Sequence, residues 1–412
     1  MTPQKLTNLI GSERCPAASG KTFEDRNPAD ATEVVALVPR SGPEDVDKAV
    51  RVAQAAFESW RKVPAPKRAE LLFKAAGLLL ARKEDLARIM TREMGKVLVE
   101  TRGDAQEAID TAFYAGGEGR RLFGDTAPCE LPNKFGMSVR VPVGVCGLIT
   151  PWNFPVAIPS WKIFPALVAG NTVVLKPSNE TPASAQLFVD ILVEAGIPPG
   201  VVNVVHGLGR EVGTALVEHP GVRVISLTGS VEVGRAVAGR CGQLGKKVAL
   251  ELGGKNAQIV MDDADLDLAL EGALWGSFGT TGQRCTATSR LILHHKIAQD
   301  FTRRLVDKAR TIQVGNGLDP KTQMGPVINE AALKKVEEYV QIGKQEGAKL
   351  LLGGHRLTDG ALAKGWFYAP TIFGDCRQIT ERPVSAPPPA LSRASFARAT
   401  AAPILPSAPA SA

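Results

Sequence analysis

Aromatic residues are scarce in this 412-residue chain, 5% of the total, and they are not interleaved with Lys or Arg as a groove that stacks single-stranded bases requires. The six cysteines, Cys15, Cys129, Cys146, Cys241, Cys285 and Cys376, form no CxxC pair and no Cys/His cluster. That spacing argues against a zinc centre and a disulfide framework, so six free thiols and no metal are expected. No apolar run is long enough for a secretory signal at MTPQKLTNLIG or for a membrane span further on, which predicts a cytoplasmic protein with no membrane partner. No internal repeat is visible. Neither sign of charge is lacking: 49 basic residues against 42 acidic ones give +7, of which residues 377–412 supply +3. Elsewhere the two signs are mixed, the pattern of a solvated surface, and no nucleic-acid partner is expected.

What is present is globular. Hydrophobic residues at 44% and charged residues at 22% are close to the soluble average, and the length exceeds one ordinary core, so two or three domains are expected. The first part reads as helical. SGPE, Ser41 to Glu44, has capping-box spacing, and DKAVRVAQAAFESW, KRAELLFKAAGLLLARKEDLARIM and ETRGDAQEAIDTAFYAGG carry apolar residues at helical intervals. APCELPNKFGMSVRVPVGVC (127–146) is rich in Pro and Val and reads as a hairpin or connecting arm. From Val143 to Gly254, the apolar runs VGVCGLIT, NTVVLKPS, VVNVVHG, VRVISLTG and KKVALELGG alternate with helix-like segments such as TPASAQLFVDILVEAG. Continuous apolar runs indicate strands buried on both faces, hence a parallel sheet covered by helices in a doubly wound α/β domain. A second α/β region follows, with NAQIVM, SRLILHH and AKLLLGG as strands and FTRRLVDKAR and NEAALKKVEEYVQIGKQ as helices. In residues 383–412, 22 of 30 are Ala, Pro or Ser and none is acidic, which predicts a disordered tail standing where something else has been replaced.

Several short stretches carry groups suited to chemistry. Taken alone, Cys285 reads as a small buried apolar residue. Its neighbours Gly279, Thr280, Thr281, Gly282 and Thr286 leave room for a substrate to approach the sulfur, and Arg284 adds positive potential, although a thiol of ordinary pKa needs further activation. In TPWNFP, two prolines stiffen the turn that holds Asn153 just past a strand end, where ligands of open α/β sheets bind; the residue is either an ordinary turn Asn or an oxyanion donor. Lys176 in VVLKPS ends another strand. Gly229 and Ser230 in SLTGSVEVG open a helix whose N-terminus suits a phosphate, or simply make a tight turn. Gly207, Gly209 and Gly213 give GxGxxxG, one residue longer than the dinucleotide fingerprint. Glu251 in ALELGGK stands among apolar residues, where burial would raise its pKa toward that of a useful base.

PWNFP, KPS, LTGSVEVG, ELGGK and GQRCT occur here in the order found in the NAD(P)-dependent aldehyde dehydrogenase superfamily, with Glu251 34 residues before Cys285, and the chain resembles that family over roughly residues 20–380. The resemblance implies a nucleotide-binding domain from 1–126 and 147–254, a connecting or oligomerisation arm at 127–146, an incomplete catalytic domain at 255–382 and the tail at 383–412. It implies oxidation of an aldehyde, a semialdehyde among the candidates, to a carboxylate with NAD or NADP. Cys285 would be the nucleophile, Asn153 and the Cys285 backbone N–H the oxyanion donors, and Glu251 the base that activates water against the thioester. Lys176, Ser178 and Asn179 would lie at the adenosine ribose, Gly209 and Gly213 near the adenine, and Gly229, Ser230, Val233 and Gly234 at the pyrophosphate beside Trp152. Leu252 completes the cofactor set.

Two departures stand out. Asn179 occupies the position of a Glu that in many members bonds the ribose hydroxyls and repels a 2′-phosphate, so NADP is expected to be tolerated. The family's EExFGP motif is replaced by ITERPVSAPP, with only Glu381 nearby, and the strand that pairs across subunits in the family's homo-oligomers is missing. Two rival readings keep the same scaffold: a non-catalytic binding protein, and a cofactor-independent thiol esterase using Cys285, Asn153 and Glu251.

Overall fold

The computed structural model describes residues 2–376, so Glu381 and the expected 383–412 tail lie outside the described residues. The chain divides into two compact units. The first comprises Met1–Gly253, Gln313–Glu330 and Leu357–Phe367; the second comprises Gly254–Ile312, Ala331–Arg356 and the residues from Tyr368 onward.

In the first unit a seven-stranded sheet runs in the order Lys247–Leu252, Val222–Gly229, Val145–Ile149, Thr172–Lys176, Val202–Val204, Asn8–Ile10, Glu13–Cys15. The first five strands are mutually parallel and the last two are joined antiparallel. Neighbouring residues of one strand feed opposite cores, as the two-residue period of a strand requires. Cys146, Leu148, Val173, Leu175, Val202 and Val204 pack on one face against Ala65–Ala81, Leu98–Glu118, Ala157–Val168 and Pro182–Glu194. Val145, Val174, Val205, Val222, Ile225 and Leu227 pack on the other against Pro43–Trp60, Thr214–Glu218 and Val231–Gln243. Each large side chain buried this way contributes roughly 1.5–3 kcal/mol, which is what holds the doubly wound arrangement together.

Four details differ from the sequence reading. The stretch before residue 41, to which the sequence reading assigned no element, holds five short strands, from Gln4–Lys5 to Val34–Pro39, because residues such as those of VVALVP pair across Thr22–Arg26. The first helix starts at Pro43 with Gly42 as its cap: the Ser41 hydroxyl is taken by the Asn8 amide at 2.8 Å, and Asp45 accepts the Gly42 N–H at 3.0 Å instead. KRAELLFKAAGLLLARKEDLARIM is two helices, Ala65–Ala81 and Lys83–Met94, broken at Arg82, whose guanidinium turns back to Asp85 in the new first turn at 2.8 Å. Lys247–Leu252 is not buried on both faces; among the described residues it is an edge strand with a partner on one side only, and Val248 is 37% exposed. The 127–146 stretch does contain a hairpin, Thr126–Pro128 with Phe135–Met137.

In the second unit, Asn256–Val260 pairs in parallel with Thr288–Leu293, and Lys349–Leu352 pairs antiparallel with Ile372–Gly374. Leu270, Ala273, Leu291, Leu293, Phe301, Leu305 and Ile372 form its core. Residues 313–330 and 357–367 fold back onto the first unit through tight backbone contacts. Leu98 N–H reaches Gly317 O at 3.2 Å and Trp366 N–H reaches Pro28 O at 2.9 Å, while a Cβ on Gly325 would collide with Gly95 O. Gly325→Ala is therefore expected to lower stability by about 1–3 kcal/mol, the usual cost of overpacking. Gly239, in the helix Val231–Gln243 with open space where a Cβ would go, is the control: Gly239→Ala is expected to raise stability by up to about 1 kcal/mol, both read from denaturant midpoints.

Candidate active site

The carboxyl ends of the parallel strands bring five of the sequence-selected stretches to one level of the first unit. Ile149 pairs with Lys176 and with Leu227, Thr228 with Glu251, and Gly229 with Leu252, so the TPWNFP turn, the KPS loop, the SLTGS turn and ELGG leave the sheet side by side. Gly209–Gly213, a π-helical turn, follows the next strand over. The extra residue of GxGxxxG is taken up in that turn, and Gly209 has open space where a Cβ would stand.

Asn153 is half-buried in the turn between Val145–Ile149 and Ala157–Val168. Trp152 is half-buried beside it. The turn is tied to the sheet through Thr150 N–H, which donates to Lys176 O at 3.2 Å. Glu251 is exposed on the edge strand, contrary to the expectation of a buried carboxylate, because that strand has no neighbour on its outer side among the described residues. Its nearby cation is Lys162, a residue that sequence reasoning missed. Lys162 Nζ donates to Ser226 Oγ at 2.8 Å; burial pushes its pKa down to about 8, and Glu251 works against that shift. Nothing in the sequence around Lys162 distinguishes it from a solvated helix lysine.

Lys176 is 3% exposed, and its Nζ donates to Pro177 O at 2.6 Å. Burial brings its pKa down to about 8, opposed by Glu180. Ser178 Oγ accepts the Glu180 N–H at 3.2 Å, and the Asn179 amide donates to Glu180 Oε1 at 2.8 Å. His206, at the next strand end, is buried and held neutral: burial, then the Lys176 charge, lower its pKa to about 3.

Ser230 caps the helix Val231–Gln243 by accepting the Val233 N–H at 3.3 Å. Val231 and Val233 are 40% and 51% exposed, so this helix N-terminus stands open with apolar flanks. Gly234 sits against Leu252, whose side chain leaves no room for a Cβ there. An open helix N-terminus, a buried lysine and an uncovered glycine turn along one line of strand ends fit the phosphates, ribose and base of a dinucleotide.

Cys285 belongs to the second unit, between a short turn, Gly279–Gly282, and the strand Thr288–Leu293. It is exposed. Thr280 and Thr281 in that turn adopt φ of 54° and 56°, a left-handed conformation costly for β-branched residues, followed by Gly282 at 69°. Strain of roughly 1–3 kcal/mol per residue persists only where the surroundings impose it, and it gathers at functional sites. The loop beyond is held by Asn256, also missed from sequence, whose amide donates to Cys285 O at 2.7 Å and to Ala287 O at 3.0 Å. Arg284, next to Cys285 in sequence, is engaged by the preceding helix. Its guanidinium lies 3.9 Å from the Trp275 ring centroid and donates to Trp275 O and Gly276 O at 2.8 and 2.9 Å, satisfying the helix end instead. Among the described residues, no group of three or more His, Cys, Asp or Glu could hold a metal, and no helix is long and apolar enough to cross a membrane.

Residues 15–382 match the family model of the aldehyde dehydrogenases. An α-ketoglutaric semialdehyde dehydrogenase of Bacillus subtilis is 43% identical over 366 residues, covering 89% of this chain and 75% of that protein. Among solved structures, an NADP-dependent enzyme of E. coli superposes with a TM-score of 0.87 at 39% identity, over 90% of this chain and 76% of that one. Betaine aldehyde dehydrogenase of Staphylococcus aureus in complex with NAD+ gives 0.88 at 35% identity, over 90% and 74%.

The six thiols differ sharply in access. Limiting iodoacetamide is expected to alkylate the exposed Cys285 and Cys129 first and to leave Cys146, Cys241 and Cys376 unmodified until the protein is unfolded. Burial pushes the Cys146 thiol up to about 12, which removes its thiolate. Peptide mass mapping at increasing reagent checks the order.

Proposed function

The chain belongs to the aldehyde dehydrogenase family and is an NAD(P)-dependent enzyme that oxidises an aldehyde to a carboxylate, and on that premise we propose how its residues divide the work. Cys285 attacks the aldehyde carbon. Its exposure in the loop that follows a strained turn and is held by Asn256 is the observation that carries this assignment. The Asn153 amide and the Cys285 N–H hold the oxyanion that forms; each such donor is typically worth roughly 10²–10³ in rate. Glu251, in the field of Lys162, takes the proton of the water that cleaves the thioester.

The cofactor, when bound, supplies the nicotinamide that accepts the hydride. Lys176, Ser178 and Asn179 would hold its adenosine ribose, Gly209 and Gly213 would border the adenine, and Gly229, Ser230, Val233 and Gly234 would present the helix N-terminus to the pyrophosphate beside Trp152, with Leu252 completing the set. The first unit is then the nucleotide-binding domain and the second the catalytic one. Asn179 brings no charge against a 2′-phosphate, and with an NADP-dependent relative at 39% identity this supports use of both cofactors.

The substrate proposed is a semialdehyde carrying a carboxylate at its far end, as the name of the Bacillus relative supports. Homo-oligomers would form through the 127–146 arm, where Leu131, Phe135, Met137, Val139 and Val141 are all more than half exposed. Six free cysteines and a thiol nucleophile suit the reducing cytoplasm. The same three groups, Cys285, Asn153 and Glu251, would also hydrolyse an activated ester without the nicotinamide.

Reduced-cofactor absorbance across an aldehyde panel tests the reaction. Wild type is expected to turn over α-ketoglutaric semialdehyde and Cys285→Ala to show none, with a Michaelis constant for NADP within about a hundredfold of that for NAD; Cys285→Ala turning over at the wild-type rate would overturn the nucleophile. A pH series tests the ribose contact separately. Since Lys176 loses its proton near pH 8, cofactor affinity is expected to fall as pH rises through that value, with the inflection absent in Lys176→Met, as measured by quenching of tryptophan fluorescence.

A further inference from the structure

Beneath the Asn153 turn the first unit buries an ion pair that none of these roles uses. The side chains of Lys96 and Asp104 are both fully buried, and Lys96 Nζ donates to Asp104 Oδ2 at 2.6 Å. Each partner also reaches the PWNFP segment. Lys96 Nζ stands 4.1 Å from the centroid of the Phe154 ring, and Asp104 Oδ1 accepts the N–H of Ala157 at 2.7 Å. Phe154 is the residue after Asn153, and Ala157 is the first residue of the helix that the turn enters. One desolvated pair thus grips the turn immediately beyond the Asn153 amide, while Thr150 ties its near side to the sheet.

The lysine is itself fixed. Gly95 adopts φ of 87°, Pro326 packs on it, and Gly317 and Gly325 lie so close to the carbonyls of Lys96 and Gly95 that no side chain fits at either. Leu98 N–H is bonded to Gly317 O.

Stability gives no reason for charges here. Taking two ions out of water costs several kcal/mol each, and apolar residues of similar volume generally replace a buried pair without loss. What a charge pair supplies and hydrocarbon does not is direction: a cation seated on one ring face and an oxygen aimed at one N–H. We propose that Lys96 and Asp104 are positioning residues that set the orientation of the Asn153 amide toward the oxyanion. This rests on the reading of Asn153 as the oxyanion donor. Such donors act only when held at hydrogen-bond distance from where the charge develops, and misplacement by about 1 Å can cost on the order of a hundredfold.

A double-mutant cycle tests it in the full chain, with 4-nitrophenyl acetate as the probe. Its acyl carbon is attacked by the Cys285 sulfur, nitrophenolate leaves with the electron pair, and the burst reports acylation without any need for cofactor. Lys96→Met is expected to slow the burst by about ten- to a hundredfold with the NAD dissociation constant little changed, and to lower the thermal midpoint because the buried Asp104 carboxylate loses its counter-charge. In an Asn153→Ala background the same substitution is expected to cost less than about twofold, the signature of two residues acting through one group. The same loss in both backgrounds, or no loss in wild type, overturns the proposal. An Asn153→Ala variant that acylates at the wild-type rate instead brings down the oxyanion reading, and the positioning role with it. Phe154→Leu, which leaves the ion pair in place and removes only the ring it seats, carries the same cycle if Lys96→Met does not fold, and additive losses there overturn the proposal equally.

Discussion

Two apolar cores, one on each face of a parallel sheet, constrain everything else in the first unit. Because successive residues of a strand must enter opposite cores, Val145 and Cys146, or Val173 and Val174, cannot shift by one position without turning both faces inside out. The register of the five parallel strands is therefore rigid, and so is the level at which they stop. Loops leaving that level inherit fixed starting points. Asn153, Lys176, Gly229 and Glu251 are far apart in the chain, and they are neighbours only because the strands carrying them end together.

The second unit fixes the loop of Cys285 by different means. Cys285 stands on no strand end of the large sheet; it follows a turn with Thr280 and Thr281 in left-handed conformations, and one side-chain amide, that of Asn256, holds the carbonyls of Cys285 and Ala287. Arg284, adjacent in sequence, is spent on stacking over Trp275 and closing a helix end.

Much of this was legible in the sequence, and for identifiable reasons. Continuous apolar runs such as NTVVLKPS mark strands buried on both sides, and the helices between them follow from their periodicity. The reading failed where burial is decided by topology rather than composition. KVALEL looks like its neighbours, yet as an edge strand it leaves Glu251 in solvent. The short strands before residue 40 pair over long distances and carry little local pattern. Among the site residues, those at strand ends with Gly or Pro beside them could be picked out, because turn chemistry shows in sequence. Lys162, Asn256, Lys96 and Asp104 could not. Each matters through one long-range contact, with Ser226, with Cys285 O, or with the segment after Asn153, and no spacing rule encodes such a contact.

In the proposed mechanism the substrate becomes bonded to the Cys285 sulfur and Glu251 drives its release. Mixing Glu251→Gln with α-ketoglutaric semialdehyde and NAD, quenching in acid and weighing the protein tests both at once. One equivalent of reduced cofactor is expected, with a mass increase equal to the acyl group located by peptide mapping on Cys285. Reduced cofactor with no adduct, or an adduct on any other residue, would contradict that mechanism.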